Sequence, residues 1–590
     1  MSPRRFSRAA SGLVPAVLVG LVAPSAFAQL AVTGTIPASH SLAPVVTPIA
    51  VTFDRALDPA TVTPATFRVF GRWSGPAQGT FALSNGDRTV TFTSSTPFSA
   101  GEPVFVNISH DVRGADTTPL RDAGWFFSFK TAVAPSGGIH FNEIDVMSNL
   151  GGDPQTRIYG AAACDLDNDG YLDLATVNET SADVRVTLNR ADGSGLFEPF
   201  LPANPIGVEA SPNEPADFDG DFEIDLCVAA SLTEEMWILL GNGDGTFGST
   251  TGIPVGSVPH GVAVLDADGD GDTDIVNANQ VSGNLSLLLN DGTGTFAAPV
   301  YFDGGVSGEY GLTSGDLNED GIEDLVVAGQ AGQEIVTLLG NGDATFTPAA
   351  SPSGTGGWTW VVALDDLNGD GHLDAACANS FSNHVSVLFG NGDGTFGSPQ
   401  TYPTGAHTPA VDLGDLDGDG DADLIASSFG GGFWRFYEND GTGTFSFVQD
   451  VIAPSNPSCA IFFDSDNDLD LDLALSDEIA DVLVLLENVG DPTTVIASGA
   501  LTTQAPAPNP FRESTRLRVF LDTTTAPRLE LVGVRGRRVA VHEYGVLGAG
   551  WRELEIPARD DRREALAPGV YFYRVSAGGR DASGRVVRVD

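Results

Sequence analysis

Between residues 138 and 490 the chain alternates short apolar runs with polar turns, and the order of the turns repeats. Gly261-Val-Ala-Val-Leu265 leads into an acidic loop, Asp324-Leu-Val-Val-Ala328 leaves one, and Val385-Ser-Val-Leu-Phe389 is a third run within a unit. These runs are short, rich in branched residues and bounded by Asp, Asn and Gly, which predicts strands. A glycine-rich turn follows the third run: Gly241 to Phe247, Asn290 to Phe296, Gly340 to Phe346, Gly390 to Phe396 and Asn439 to Phe445. Such turns suit hairpins, although their oxygens are also able to bind ions, and the closing Phe is expected to begin a fourth strand.

The acidic loops begin at Asp165, Asp217, Asp266, Asp316, Asp366, Asp415 and Asp464, so successive starts are 52, 49, 50, 50, 49 and 49 residues apart. A period of this size means one supersecondary unit copied around a ring or along a stack. Four strands per unit predict a propeller blade, and seven units a closed seven-bladed β-propeller. The last unit has no glycine-rich turn and no fourth strand of its own. Gly138-Ile-His-Phe141-Asn-Glu-Ile-Asp-Val-Met147 has the missing strand's character and is expected to pair with Val482–Leu486.

Each loop follows D-x-[DN]-x-[DN]-G-x-x-D, with oxygens at positions 1, 3, 5 and 9 and a backbone carbonyl at position 7. That set suits calcium, which takes six to eight oxygen ligands in flexible geometry; magnesium fits less well, and softer metals prefer His or Cys. The expected ligands are Asp165, Asp167, Asp169, Tyr171 and Asp173 in the first loop, and Asp217, Asp219, Asp221 and Asp225 in the second. The third offers Asp266, Asp268, Asp270, Asp272 and Asp274; the fourth Asp316, Asn318, Asp320, Ile322 and Asp324; the fifth Asp366, Asn368, Asp370, His372 and Asp374. The sixth offers Asp415, Asp417, Asp419, Asp421 and Asp423, and the seventh Asp464, Asp466, Asp468 and Asp472. Up to seven Ca2+ sites follow, five with the full pattern. Phe222 and Leu469 replace the position-6 glycine in the other two, where a left-handed backbone costs roughly 1–2 kcal/mol, so those sites are expected to be weaker or distorted. The bland alternative is that the aspartates only solvate the surface.

These repeats resemble the FG-GAP/VCBS family of calcium-binding β-propellers, related to the integrin α-subunit head. The resemblance covers about 138–490 and implies that the acidic loops join the first and second strands of each blade on one face, with ligands often met on the opposite face. Kelch propellers share the repeat length but lack the loops. Some relatives with such propellers are polysaccharide lyases or sugar dehydratases.

Six residues before the first loop Asp, four units carry a ring: Tyr159, His260, Tyr310 and Trp360; the others carry Ser211, Pro409 and Ser458. In a propeller these positions converge at the channel end away from the loops. They either pack the channel mouth or bind a sugar or peptide.

Residues 1–28 read as a secretory signal, with Arg4, Arg5 and Arg8, an apolar Leu13–Ala23 and an Ala26-Phe27-Ala28 cleavage site. No later segment predicts a transmembrane helix. Residues 30–133, with Val104-Phe-Val106-Asn-Ile108 and Trp125-Phe-Phe127-Ser-Phe129, predict a β-sandwich and resemble bacterial Ig-like domains. Residues 134–138 read as a linker. Residues 501–590 hold 15 Arg against 11 acidic residues. Their Ala507-Pro508-Asn509-Pro510-Phe511, Gly536-Arg-Arg538-Val-Ala540 and Pro568-Gly569-Val-Tyr571-Phe-Tyr573-Arg574 resemble the Ig-like type IX secretion sorting module; an ordinary terminal sandwich is the alternative.

The net charge of −49 argues against nucleic acid and anionic membranes as partners. Cys164, Cys227, Cys377 and Cys459 fall on predicted strands, which favours free thiols over a Cys164–Cys459 bridge. No G-x-S-x-G, H-E-x-x-H or phosphate loop occurs. The expectation is an exported, all-β, non-catalytic adhesion or ligand-binding protein at the outer surface of a Gram-negative-type bacterium, or secreted by it. Its partners would be an extracellular protein or glycan, and the secretion machinery through the C-terminal module. The alternative is a secreted carbohydrate-active enzyme, a lyase or hydrolase using the propeller face.

Overall fold

The computed structural model describes residues 29–490 and, with short gaps at 508, 510, 522–524, 534–537, 548–549, 560–564 and 578–579, residues 503–589. The expected signal at 1–28 lies outside the described residues. The chain divides into two compact units, 1–490 and 491–590. The described residues are β throughout, apart from single helical turns at Pro59–Thr61 and Ser380–Ser382.

The first unit opens with two antiparallel-dominated sheets of four and five strands. They enclose one core that includes Ile49, Val51, Phe53, Val104, Val106, Phe127 and Phe129. Alternation drives this: Ile49–Phe53 and Phe67–Gly71 bury every second residue.

Seven further sheets follow, each built on four antiparallel strands. The fifth is Thr359–Asp365, Asp374–Asn379, His384–Leu388 and Gln400–Pro403. In every sheet the acidic loop joins the first strand to the second. The position-9 aspartate pairs with the residue just before the loop, as in Cys164↔Asp173, Asp365↔Asp374 and Phe463↔Asp472. The second strands are buried along their whole length, from Asp173–Asn178 to Asp472–Asp477, because both faces are covered by neighbouring sheets. The first strands touch one another in sequence order, and the seventh, Pro457–Phe463, lies against the first, Ile158–Cys164. Ser458 Oγ donates to Tyr159 O at 2.9 Å across that junction.

The segment Phe141–Ser148 supplies the seventh sheet's outer strand, pairing with Val482–Asn488 from Phe141↔Asn488 to Ser148↔Val482. The closing Phe of the glycine-rich turn does not always open the fourth strand. Phe247, Phe346 and Phe445 do. Phe296 and Phe396 make isolated bridges, and their strands start only at Val300 and Gln400. Pro299 and Pro399 intervene, and proline has no N–H to give the ladder. The cysteines are all free thiols, each on a strand.

A belt of hydrogen bonds ties each sheet to the loop before it. The position-2 carbonyl of every loop accepts a donor from the turn of the following sheet. Gly245 N–H, Ala344 N–H and Gly394 N–H reach Leu166, Ala267 and Leu317 at 2.9, 2.9 and 3.1 Å. Asn290, Asn439 and Asn488 Nδ2 reach Phe218, Leu367 and Leu416 at 2.8, 2.9 and 2.7 Å. Asn189 Nδ2 in the first sheet reaches Ser465 in the seventh loop at 2.7 Å.

The second unit is smaller. A three-stranded sheet and a four-stranded sheet share a core that includes Leu517, Val519, Leu529, Leu531, Leu554, Ile556 and Val575. Pro508, Pro510, Gly536 and Arg537 of the expected sorting motifs lie outside the described residues.

Asn189→Ala removes the bond between first and seventh sheets and leaves the buried Ser465 carbonyl without that donor. We expect a loss of about 1–3 kcal/mol, read as a lowered urea midpoint; an unchanged midpoint would show that the junction does not depend on this bond.

Candidate functional site

The loop backbone is organised by its own carboxylates. The position-6 N–H donates to the second oxygen of position 1, from Gly170 to Asp165 at 3.0 Å and from Gly420 to Asp415 at 3.0 Å. The position-7 N–H donates to position 5, as from Tyr171 to Asp169 at 2.8 Å. Position 9 accepts twice: Asp173 takes Leu166 N–H at 3.0 Å and Asn189 N–H at 2.8 Å, and the same two bonds recur in all seven loops.

This folding brings like charges together. One oxygen from each of positions 1, 3 and 9 falls within 4.8 Å of the others in Asp165/Asp167/Asp173, Asp217/Asp219/Asp225, Asp266/Asp268/Asp274, Asp415/Asp417/Asp423 and Asp464/Asp466/Asp472. In the fourth and fifth loops the middle oxygen comes from Asn318 or Asn368, whose Oδ1 accepts the position-5 N–H at 3.0 and 2.9 Å. Phe222 and Leu469 adopt the left-handed φ of 71° and 78° that glycine takes elsewhere, and the carboxylates of the second and seventh loops converge all the same. The expected distortion is therefore absent from the carboxylate geometry, because the surrounding hydrogen bonds over-determine the turn.

Burial raises the carboxyl pKa values, strongly at position 9 of every loop. Asp173, Asp225, Asp324, Asp423 and Asp472 are pushed up to about 8 and Asp374 to about 7 by loss of water, while Asp274 is raised well above its ordinary value. Asp165, Asp266, Asp316 and Asp464 at position 1 rise to about 7, again chiefly through burial, with neighbouring carboxylates adding to it. Buried Asp268 Oδ1 has no hydrogen-bond partner. A hard, all-oxygen, negatively charged set of this kind fits a calcium ion.

The N-terminal sandwich packs on these loops. His110 N–H donates to Gly269 O at 2.8 Å and Phe126 N–H to Gly321 O at 2.8 Å. Arg121 Nη1 reaches Asp320 O at 2.6 Å, and Arg68 and Lys130 pair with Asp272 and Asp365. The approach is close: a Cβ at Gly269 would lie 2.4 Å from Asp122 O, and one at Gly321 2.8 Å from the Trp125 ring. The linker crosses the sixth and seventh loops, with Ser136 N–H on Asp417 O at 2.9 Å and Ala134 N–H on Leu469 O at 2.6 Å. The hairpin tip at Gly71–Gly75 goes deepest. Buried Glu102 holds it through Trp73 N–H, Ser74 N–H and Ser74 Oγ at 2.8, 2.9 and 2.6 Å. Trp73 O then accepts Asp165 N–H at 2.9 Å, and Arg72 pairs with Glu214 at 2.6 Å.

Beyond that tip lies a cavity of about 470 Å³ between the first strands. Tyr159, His260, Tyr310, Trp360, Pro409 and Ser458 all line it, so the structure brings the spaced positions together; nothing is described of the Ser211 side chain. The rings stack on each other, His260 on Tyr310 at 4.1 Å and Tyr310 on Trp360 at 5.1 Å. Asp412 also lines the cavity, its carboxyl pushed up to about 7 by burial. Sequence spacing did not single out Arg72, Trp73 or Asp412. The one signal for the tip is an aromatic residue in a glycine-bounded turn, Gly71-Arg-Trp-Ser-Gly75.

The FG-GAP-like repeat family matches six overlapping segments, 165–228, 217–277, 266–327, 316–376, 366–426 and 415–475, each bridging two consecutive loops. Together they span more than half of the chain, and the chain belongs to this family. The bacterial Ig-like domain family matches residues 28–131. No curated protein matches the chain. Among solved structures it is similar to BBS1N in its complex with ARL6DN, at 15% identity over 61% of this chain and 98% of that one, TM-score 0.40. It is also similar to a functionally unknown protein from Desulfotomaculum acetoxidans, at 13% identity over 51% and 90%, TM-score 0.38. A third is a putative 6-phosphogluconolactonase from Bacteroides uniformis, at 14% identity over 67% and 98%, TM-score 0.38.

The raised carboxyl groups set a pH dependence. With folded values near 7 to 8 and an ordinary value of 3.8, the folded metal-free chain binds more protons than the unfolded one across that interval. Stability in chelator should therefore fall as pH rises from about 4 to about 8. Melting temperatures in chelator at pH 5, 6, 7 and 8 check this; a flat or rising series would contradict it.

Proposed function

We propose that the seven sheets form a closed seven-bladed β-propeller that binds calcium in its acidic loops and serves as a non-catalytic adhesion or ligand-binding module outside the cell. The cyclic order of first-strand contacts and the belt from Asn189 to Ser465 support closure. Positions 1, 3, 5 and 9 would hold the ion, with the position-7 carbonyl completing the set. The seven similar loops differ in charge, since Asn318 and Asn368 each remove one carboxylate.

The observation that carries the functional reading is the division of the two ends of the sheets. The sandwich and linker occupy the loop end, and no other described segment of the first unit covers the opposite end. In this reading the first 28 residues direct export, and the C-terminal unit acts as a type IX sorting module that delivers the protein to the outer surface or releases it.

A second reading, a secreted carbohydrate-active enzyme, is favoured by one observation. Asp412 is a buried acid pushed up to about 7 that lines the cavity and is not itself one of the acidic-loop positions, which is the environment of a general acid or base. Its Oδ2 already accepts Ala460 N–H at 3.2 Å, and the rings above it stack on each other.

Thermal unfolding with calcium and with chelator tests the metal reading. Each occupied site adds about 1.4 kcal/mol when free calcium is ten times Kd, so several sites should raise Tm markedly. Asp173→Asn should reduce that gain, and Tm unchanged by calcium would refute the proposal. Screening the same protein for glycan turnover separates the two readings, because turnover lost in Asp412→Asn would favour the enzyme.

A further inference from the structure

At the end of the sheets away from the acidic loops, the turn between second and third strands carries an exposed apolar residue in several units. Leu232, Val281 and Phe381 are 63%, 69% and 59% exposed. In the fifth and sixth sheets this rim becomes an aromatic cluster. Trp358 and Trp360 meet Phe381 edge-on at 5.8 and 5.7 Å. Phe381 stacks on His407 at 4.8 Å and 13°, and His407 meets Phe429 edge-on at 5.2 Å. Trp358 remains 41% exposed, so two large rings stand open to solvent.

The polar character of this sector is as distinctive as its rings. Segments 353–360, 379–384, 404–409 and 428–433 contain no Asp, Glu, Lys or Arg, in a chain of net charge −49. At the outer edge Arg435 is neutralised by Asp450 at 2.7 Å. Across the face the corresponding segments are ionic, with Arg157 paired to Glu179 and Glu478.

We propose that Trp358 and Phe381 form the platform of a binding site for a neutral carbohydrate chain, bordered by His407 and Phe429. A sugar ring offers an apolar face and a hydroxyl edge. Exposed aromatic rings such as Trp358 and Phe381 take the face and leave the hydroxyl edge to water. The absence of local charge suits an uncharged ligand, and the overall negative field disfavours an anionic polysaccharide. A cation would instead be drawn to the carboxylates across the face. The inference rests on the ligand-binding reading above and names its ligand class and residues.

The test is affinity electrophoresis of the mature protein, with calcium, through gels containing xylan, mixed-linkage β-glucan, galactomannan or starch, with alginate as the anionic control. At least one neutral polysaccharide should retard the protein. Trp358→Ala and Phe381→Ala should each weaken that retardation at least about tenfold, while Tyr301→Ala, half exposed on the third sheet's outer strand, should not. Both exposed residues tolerate truncation, so the variants should keep the wild-type Tm in calcium. No retardation in any neutral gel, retardation by alginate alone, or retardation that survives both substitutions overturns the proposal. The two readings fail separately: a Tm indifferent to calcium removes the metal loops' role, whereas gels without a shift remove only the carbohydrate site.

Discussion

The structure turns on the aspartate at position 9 of each acidic loop. One of its oxygens holds the loop's own position-2 N–H, and the other holds an N–H sixteen residues later, at the turn between third and fourth strands. That turn donates in its own right to the position-2 carbonyl of the preceding loop. Local bonds within one sheet thus become a continuous belt through seven. The same carboxylate is almost without water and close to two others. A buried carboxylate that cannot be neutralised by an arginine must take a proton or a cation. The geometry that ties each sheet to the next therefore also gathers carboxylates that would accept a cation.

Much of this was legible in the chain because both signals are periodic. The recurring D-x-[DN]-x-[DN] loop marks where one strand ends and the next begins, and position 9 opens the second strand in all seven sheets. The pattern around Phe141 sufficed to predict the strand that completes the seventh sheet. What could not be read was set by partners distant in sequence. Asn189 and Gly241 occupy equivalent positions, and only the fold reveals that one donates through its side chain while a neighbouring turn's backbone serves the other sheet. Phe222 and Leu469 were expected to weaken or distort their loops, because propensity counts a local strain without the hydrogen bonds that impose it. Nor does periodicity say which face of the repeats the N-terminal sandwich covers.

That docking is compatible with a cation in the loops. Arg68 pairs with the side chain of Asp272, at a position that would offer only its carbonyl to an ion, and Lys130 pairs with Asp365, which precedes the fifth loop. The other contacts described fall on backbone groups, namely the carbonyls of Gly269, Asp320, Gly321, Asp417 and Leu469 and the N–H of Asp165. None of these contacts consumes a carboxylate at position 1, 3 or 9. The sandwich supplies positive charge beside the acidic loops without engaging the position-1, position-3 or position-9 carboxylates, so its docking would leave those groups free for a cation. Glycine at 269 and 321 matters for this reason as much as for the turn, since a side chain there would hold the two surfaces apart.

The consequence for function is directional. With one end of the sheets of the first unit committed to loops, linker and the Trp73 tip, the cavity between the first strands has Arg72 and Trp73 in its lining. There the inner rings satisfy one another by stacking, which makes Tyr310 and Trp360 a wall more than a landing surface. The open rings lie farther out, on turns whose sequence is free to vary without disturbing the belt of hydrogen bonds. A scaffold held by position-9 carboxylates at one end can carry an aromatic rim at the other, because Asp374 opens the fifth sheet's second strand whereas Phe381 lies in the turn beyond its far end.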